Sequence, residues 1–104
     1  MEPATPKIPR LAPQQIEQKL AAMPEWSEMH GAIQRTYQFK DFVAAMKFVN
    51  KVAELAEKHR HHPDILVRWN KVTLTLSTHD AEGGGGITHK DFDLAAAADK
   101  LWGA

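Results

Sequence analysis

The sequence contains no cysteine. That excludes disulfides, thiolate catalysis and cysteine-based zinc or iron–sulfur sites, and it fits a reducing compartment. Neither sign of charge is in excess: thirteen Lys and Arg balance thirteen Asp and Glu. A basic footprint for nucleic acid is therefore absent. No apolar run approaches the ~18 residues that a spanning helix needs, so no membrane segment is expected. The N-terminal stretch MEPATPKIPRLAP has no apolar core of a secretory signal, and a cytoplasmic location is expected. The glycine run Gly83–Gly86 lacks the Gly-Lys-Ser/Thr of a phosphate loop and reads as a flexible connection.

What is present is ordinary in bulk. The chain has 104 residues and a mass of 11.7 kDa, with 43% hydrophobic and 25% charged residues. This is one globular domain, hiding about 65% of its unfolded surface. A core so small argues for a surface cleft or an intersubunit site rather than a deep cavity. The unusual feature is histidine. There are six, and His59, His61 and His62 fall within four positions, so histidine titration sets the net charge near neutrality.

Pro3, Pro6, Pro9 and Pro13 block helix and ladder alike, and residues 1–13 read as a mobile or extended arm. Residues 14–104 form the single domain. Pro13 suits a first helical turn, Ile16, Leu20 and Met23 follow at helical spacing, and Pro24 stops the helix. Trp26–His30 reads as a strand turning at Gly31. Ile33, Tyr37 and Phe39 alternate with Gln34, Thr36 and Gln38 as a second strand, with Arg35 interrupting the apolar face. Asp41 is a credible N-cap. The apolar stripe Phe42, Met46, Val49, Ala53, Ala56 then gives an eighteen-residue helix of about 27 Å, which Pro63 ends. Residues 64–69 and 71–79 form a second hairpin about Asn70. Val72, Leu74 and Leu76 point inward, and Thr73, Thr75, Ser77 and His79 point outward. Thr88 to Asp91 is a capping-box variant opening a last helix with Phe92, Ala95, Ala98 and Leu101 on one face. The order α-β-β-α-β-β-α predicts an α+β domain, a four-stranded antiparallel sheet with helices packed on one face.

The segment Glu57-Lys58-His59-Arg60-His61-His62-Pro63 falls where the long helix ends. By composition alone it reads as a solvated polar helix end. It also reads as an acid–base set, because histidine exchanges protons near neutrality and Glu57 is at hand. A zinc site from His59, His61 and His79 is a third reading, without any recognised ligand spacing and with His61 and His62 diverging in extended chain. Trp26, Trp69 and Trp102 read as packing groups.

The motifs Glu57-x-x-x-His61-His62-Pro63, Trp69-Asn70-Lys71-Val72 and Ser77-Thr78-His79 together resemble the pterin-4a-carbinolamine dehydratase family, over roughly residues 14–102. Trp26, Phe39-Lys40-Asp41-Phe42 and Asp91-x-x-Leu94-Ala95 add to the resemblance. It implies a hydro-lyase that converts 4a-hydroxytetrahydropterin to quinonoid dihydropterin plus water, with no cofactor and no metal, in recycling tetrahydrobiopterin for an aromatic amino acid hydroxylase. By the family match His61, His62 and His79 are the catalytic histidines. His61 and His79 are the acid–base pair, and His62 chiefly holds the pterin. Glu57 orients His61 or contacts the ring, while Pro63, Thr78 and Asp80 rim the pocket. Trp26 and Asp91 are supporting positions. Arg60 and the glycine-rich loop Asp80–Ile87 depart from the family pattern. The resemblance also implies a homodimer or homotetramer. The alternative is a non-catalytic binding or assembly partner on the same fold, since some members bind other proteins.

Overall fold

The computed structural model describes residues 7–103. Pro13 occupies the first turn of helix α1 (Pro13–Ala21), where its missing N–H costs nothing. The Gln15 amide oxygen accepts the Ala12 N–H at 2.7 Å. A short strand β1 (Ser27–Met29) and a longer β2 (Ala32–Gln38) form a hairpin. Its two-residue turn places both His30 (φ 49°) and Gly31 (φ 78°) in the left-handed region, as a turn matched to strand twist requires.

Asp41 caps α2 (Phe42–His59), its carboxylate accepting the Ala44 N–H at 2.8 Å. Strands β3 (Asp64–Arg68) and β4 (Lys71–Leu76) make the second hairpin. Asn70 ties its turn to the chain leaving β2: its backbone oxygen accepts from Phe39 N–H (2.8 Å), and its amide donates to the Phe39 oxygen (2.9 Å). A single 3₁₀ turn (Glu82–Gly84) leads to α3 (His89–Gly103). The strand order is β1-β2-β4-β3 with every neighbour antiparallel, and Ile33 pairs with Leu76 and Tyr37 with Val72. The expected α+β architecture and element order are thus observed.

Ile33, Tyr37, Val72, Leu74 and Leu76 form the apolar face of the sheet. They pack with Ile16, Phe48, Val52, Phe92 and Leu94 in one core. The opposite face carries Thr36, Gln38 and Thr73. Two expectations are corrected. The buried stripe of α2 is Ala45, Phe48, Val52 and Ala56, whereas Phe42 is 50% exposed and Ala53 is exposed. From Ala45 to Val52 the stripe is rotated by one residue, with Ala56 common to both, because the alanines of this helix fit either face and Phe48 and Val52 fix the orientation. Strand β4 also ends at Leu76, not His79. Its partner β2 begins at Ala32, one residue before the Ile33 that faces Leu76, and the ladder between them ends there. Ser77 instead donates to the Gly31 oxygen (3.1 Å), and Thr78 pairs with Gly86. The alternation of burial nevertheless continues, with Thr78 buried and Ser77 and His79 exposed. The arm read over residues 1–13 lies partly outside the described residues. Within them, Ile8 pairs with Ala81.

Arg35, which breaks the alternation in β2, points inward and pairs with Asp99 of α3 at 2.8 Å. The same carboxylate accepts from the Tyr37 hydroxyl (2.6 Å) and from the Trp26 indole (3.0 Å). Burial pushes the Tyr37 phenol far above its ordinary value, and its bond to Asp99 adds to the shift. A folded-state value above the unfolded one stabilises fully below about pH 10, and that contribution is lost as pH rises further. Tyr37 is the sole tyrosine. In an alkaline titration its tyrosinate absorbance is expected to rise only together with loss of the far-ultraviolet circular dichroism. Ionisation near its ordinary value in a chain with intact dichroism would contradict this packing.

Candidate active site

The histidine cluster is placed by the way α2 ends. Arg60 adopts the left-handed conformation (φ 52°, ψ 42°). Its N–H bonds to the Glu57 oxygen and the His61 N–H to the Ala56 oxygen, 3.3 and 3.1 Å. This is the Schellman closure, with arginine where glycine is usual. Pro63 then restricts His62 to extended backbone. Successive side chains of extended chain diverge, so His61 turns inward and His62 outward.

His61 is 8% exposed and Asp91 fully buried. The imidazole Nε2 lies 2.5 Å from Asp91 Oδ1. The other carboxylate oxygen accepts from the Thr78 hydroxyl (3.0 Å) and the Thr88 N–H (2.9 Å). Donation runs one way along this chain. Lys90 N–H donates to Thr88 Oγ1 (3.2 Å), Thr88 to Thr78 Oγ1 (2.8 Å), and Thr78 to Asp91. Every polar group that Asp91 draws into the interior has a partner, which is the condition for such a network to rigidify rather than weaken a core. An ionised carboxylate only accepts. His61 therefore carries a proton on Nε2, and in the neutral ring the lone pair is on Nδ1.

His62 Nε2 lies 2.5 Å from Glu57 Oε2, in a pair that is largely solvated (66% and 77% exposed). Exposed pairs of this kind contribute little stability, so its value lies in aiming the ring. Glu57, expected to orient His61 or touch the pterin, thus bonds to His62, and Asp91 is the residue that bonds to His61. His79 is exposed and has no hydrogen-bond partner among the described residues. Arg60, His61, His62, Ser77, His79, Asp80 and Lys90 line one cleft of about 140 Å³. The three motif histidines are therefore brought together, and Asp80 joins them. Thr78 stands behind the cleft in the Asp91 network. Pro63 is half-buried outside the lining, and Trp26 packs in the core against Tyr37, with its indole on Asp99.

Sequence reasoning did not single out Ser77, Thr88 or Lys90 for the site. Ser77 shares the outward parity of His79, and Thr88 has its signal in the capping box. Nothing in the sequence points to Lys90. Among the described residues no group of three metal-ligating side chains converges, so His59, His61 and His79 are not assembled as a ligand set. A larger concavity of about 820 Å³ lies on the outer face of the sheet. It is lined by residues such as Thr36, Leu66, Arg68 and Thr73, with no histidine or carboxylate among its lining groups. Size therefore favours the groove and chemistry favours the smaller cleft. Only the cleft can exchange protons near neutrality.

An antiparallel α+β domain with a carboxylate-held histidine beside two others at a cleft defines an acid–base site without thiols. A family model described as pterin 4 alpha carbinolamine dehydratase matches residues 9–101, and the chain belongs to that family. A relative from Acidobacterium capsulatum with pterin-4-alpha-carbinolamine dehydratase in its name is 53% identical over 92 residues, covering 88% of this chain and 97% of that one. A Chloroflexus aurantiacus relative, similarly named, is 50% identical over 96 residues, covering 92% and 100%. A crystal structure from Brucella melitensis, described as a transcriptional coactivator/pterin dehydratase, superposes with a TM-score of 0.81 at 33% identity, covering 89% of this chain and 98% of that one.

The tautomer of His61 is open to direct measurement. Long-range ¹H–¹⁵N correlation spectra at a pH where the ring is neutral are expected to show the Nε2–H form. A neutral ring protonated on Nδ1 would contradict the Asp91 contact.

Proposed function

We propose that this chain dehydrates 4a-hydroxytetrahydropterin, and the observation that carries the reading is the Asp91-held His61 sharing one cleft with His62 and His79. In that reaction the C4a–O bond breaks, and the departing hydroxyl takes a proton and leaves as water. N5 loses its proton, and its electron pair forms the C4a=N5 bond of the quinonoid dihydropterin. One proton is given and one taken, with no change of redox state, so two histidines suffice as the chemical groups. His61, with its lone pair on Nδ1, suits the proton acceptor for N5–H. His79, exposed and without a side-chain hydrogen-bond partner among the described residues, suits the donor to the hydroxyl. His62 and Glu57 hold the ring at the mouth, with Asp80 at the rim. The reaction requires no cofactor or metal. The reading extends to a cytoplasmic enzyme that recycles tetrahydrobiopterin for an aromatic amino acid hydroxylase.

The single-chain cleft is smaller than the ~300–1,000 Å³ usual for ligand sites. Ile65 and Leu66 are exposed on the edge strand β3. Both features support assembly into a homodimer or homotetramer; sedimentation showing only an 11.7 kDa species at micromolar concentration would count against it. A second reading, a non-catalytic binding or assembly partner on the same fold, draws on the coactivator in the Brucella protein's description and on the exposure of Phe42 and Val43 at the start of α2. The histidine site favours the enzyme.

The test is stopped-flow turnover of the carbinolamine with the uncatalysed rate subtracted. A positioned acid–base group contributes about 10²–10⁴-fold, so replacing His61 and His79 together with Ala is expected to remove measurable catalysis, while circular dichroism shows the fold retained with a lowered melting temperature because Asp91 loses one partner. Full activity in the double variant would overturn the mechanism. A stoichiometric protein partner together with no turnover by the unmodified chain would favour the second reading.

A further inference from the structure

The three histidines of the cleft are not held alike. His61 has Asp91 and His62 has Glu57, but His79 has no side-chain partner among the described residues. Its position depends on its backbone alone. That backbone is fixed by the glycine run. Thr78 and Gly86 exchange both backbone bonds, Thr78 N–H to the Gly86 oxygen at 2.9 Å and Gly86 N–H to the Thr78 oxygen at 3.0 Å. Gly85 passes so close that a Cβ there would lie 3.3 Å from His79 Cα.

Gly83 to Gly86 all have positive φ, 72°, 87°, 120° and 155°. Four consecutive glycines lose more conformational entropy on ordering than any other run of that length. The loop therefore needs an external clamp, and the segment before α1 supplies one. Ile8 pairs with Ala81 and accepts the Glu82 N–H at 2.9 Å; Leu11 donates to the Ile87 oxygen at 2.9 Å. These bonds fasten the loop at both ends. Between them the Arg10 N–H donates to the Glu82 carboxylate at 3.3 Å. The Arg10 side chain lies across the bare glycine backbone: a Cβ on Gly83 would come within 2.9 Å of its Nη2, and one on Gly86 would collide with its Cδ. Arg10 thus fills the space that the absent side chains of Gly83 and Gly86 leave.

We propose that Arg10 is a positioning residue for His79, holding the glycine loop so that the Thr78–Gly86 pair presents the imidazole to the cleft opposite His61. The proposal rests on the reading of the cleft as a carbinolamine dehydratase site. The residue touches no reacting atom and acts through the loop. The segment that carries it is thereby part of the working enzyme and not a spacer ahead of it.

The experiment uses the full chain with Arg10→Ala and Arg10→Lys. Lysine keeps the aliphatic stem and a cationic tip, and alanine keeps neither. A displacement of about 1 Å at a catalytic group lowers rates up to about a hundredfold. Arg10→Ala is accordingly expected to lower kcat about ten- to a hundredfold with KM within about twofold, and Arg10→Lys is expected to restore it. The His79 ring cross-peaks in ¹H–¹³C spectra are expected to shift or broaden in Arg10→Ala and to return in Arg10→Lys, while those of His61 stay in place. Unchanged His79 signals in Arg10→Ala would overturn the proposal. So would altered signals with kcat unchanged, or a loss of kcat that lysine does not restore. If the unmodified chain does not turn over the carbinolamine, the dehydratase reading fails by itself. The His79 signals of the two variants then still decide whether Arg10 positions that ring.

Discussion

The structure depends on one buried carboxylate. Asp91 lies in the first turn of α3, accepts the Thr88 N–H as a cap, receives the Thr78 hydroxyl from the chain beyond β4, and meets His61 at the exit of α2. Three segments distant in sequence converge on two oxygen atoms. Removing a charge from water costs several kcal/mol unless its hydrogen-bond partners are all in place. That requirement sets where α2 must stop and how α3 must begin. The same requirement aims His61. The fold and the proposed chemistry are thus satisfied by a single arrangement, and a displaced Asp91 would disturb both.

The same helix carries a second, half-buried carboxylate that gathers partners. Asp99 lies two turns on, on the same face, and gathers Trp26, Arg35 and Tyr37 from the first hairpin and the loop before it. The two sites differ in what they serve. Asp91 ends on a histidine that reaches a cleft; Asp99 ends on groups that do not exchange protons near neutrality. Helix α3 accordingly has one end fixed to the proposed active site and the other to the sheet, with Ala95 and Ala98 between them small enough to let it pack closely. The three cleft histidines are held by different means, a buried carboxylate, an exposed carboxylate and a strapped backbone. Each leaves its ring a different degree of freedom.

Much of this is legible in the residues themselves. Val72, Leu74 and Leu76 alternate cleanly because one face of β4 is wet, and Asp41 and Pro63 bound α2 through local backbone chemistry that tertiary contacts do not override. The Thr88–Asp91 capping box is legible as a helix start. Its second task at His61 is not, because a capping residue ordinarily faces solvent and local spacing carries no sign of a contact thirty residues away. Asp99 in isolation looks like part of a solvated helix face; only the break that Arg35 makes in β2 hints at an inward-facing partner. The α2 stripe is misplaced by one residue because alanine is indifferent to the side it occupies. The turn at Arg60 is hidden for a related reason, since a left-handed residue is expected to be glycine. The histidine motif is the part read most fully. Its residues are neighbours in sequence or on a strand extension, and the family resemblance supplies their grouping.

The central claim is that the small histidine cleft, and not the larger groove on the outer sheet face, receives the pterin. Titration of the isotope-labelled protein with a non-reacting 7,8-dihydropterin, followed by NMR, tests it most directly. The ring signals of His61, His62 and His79 should move together and saturably, while those of His30 and His89 and the amides of Thr36 and Thr73 stay in place. Saturable shifts confined to the Thr36–Thr73 groove, with the three histidines unmoved, would contradict the account.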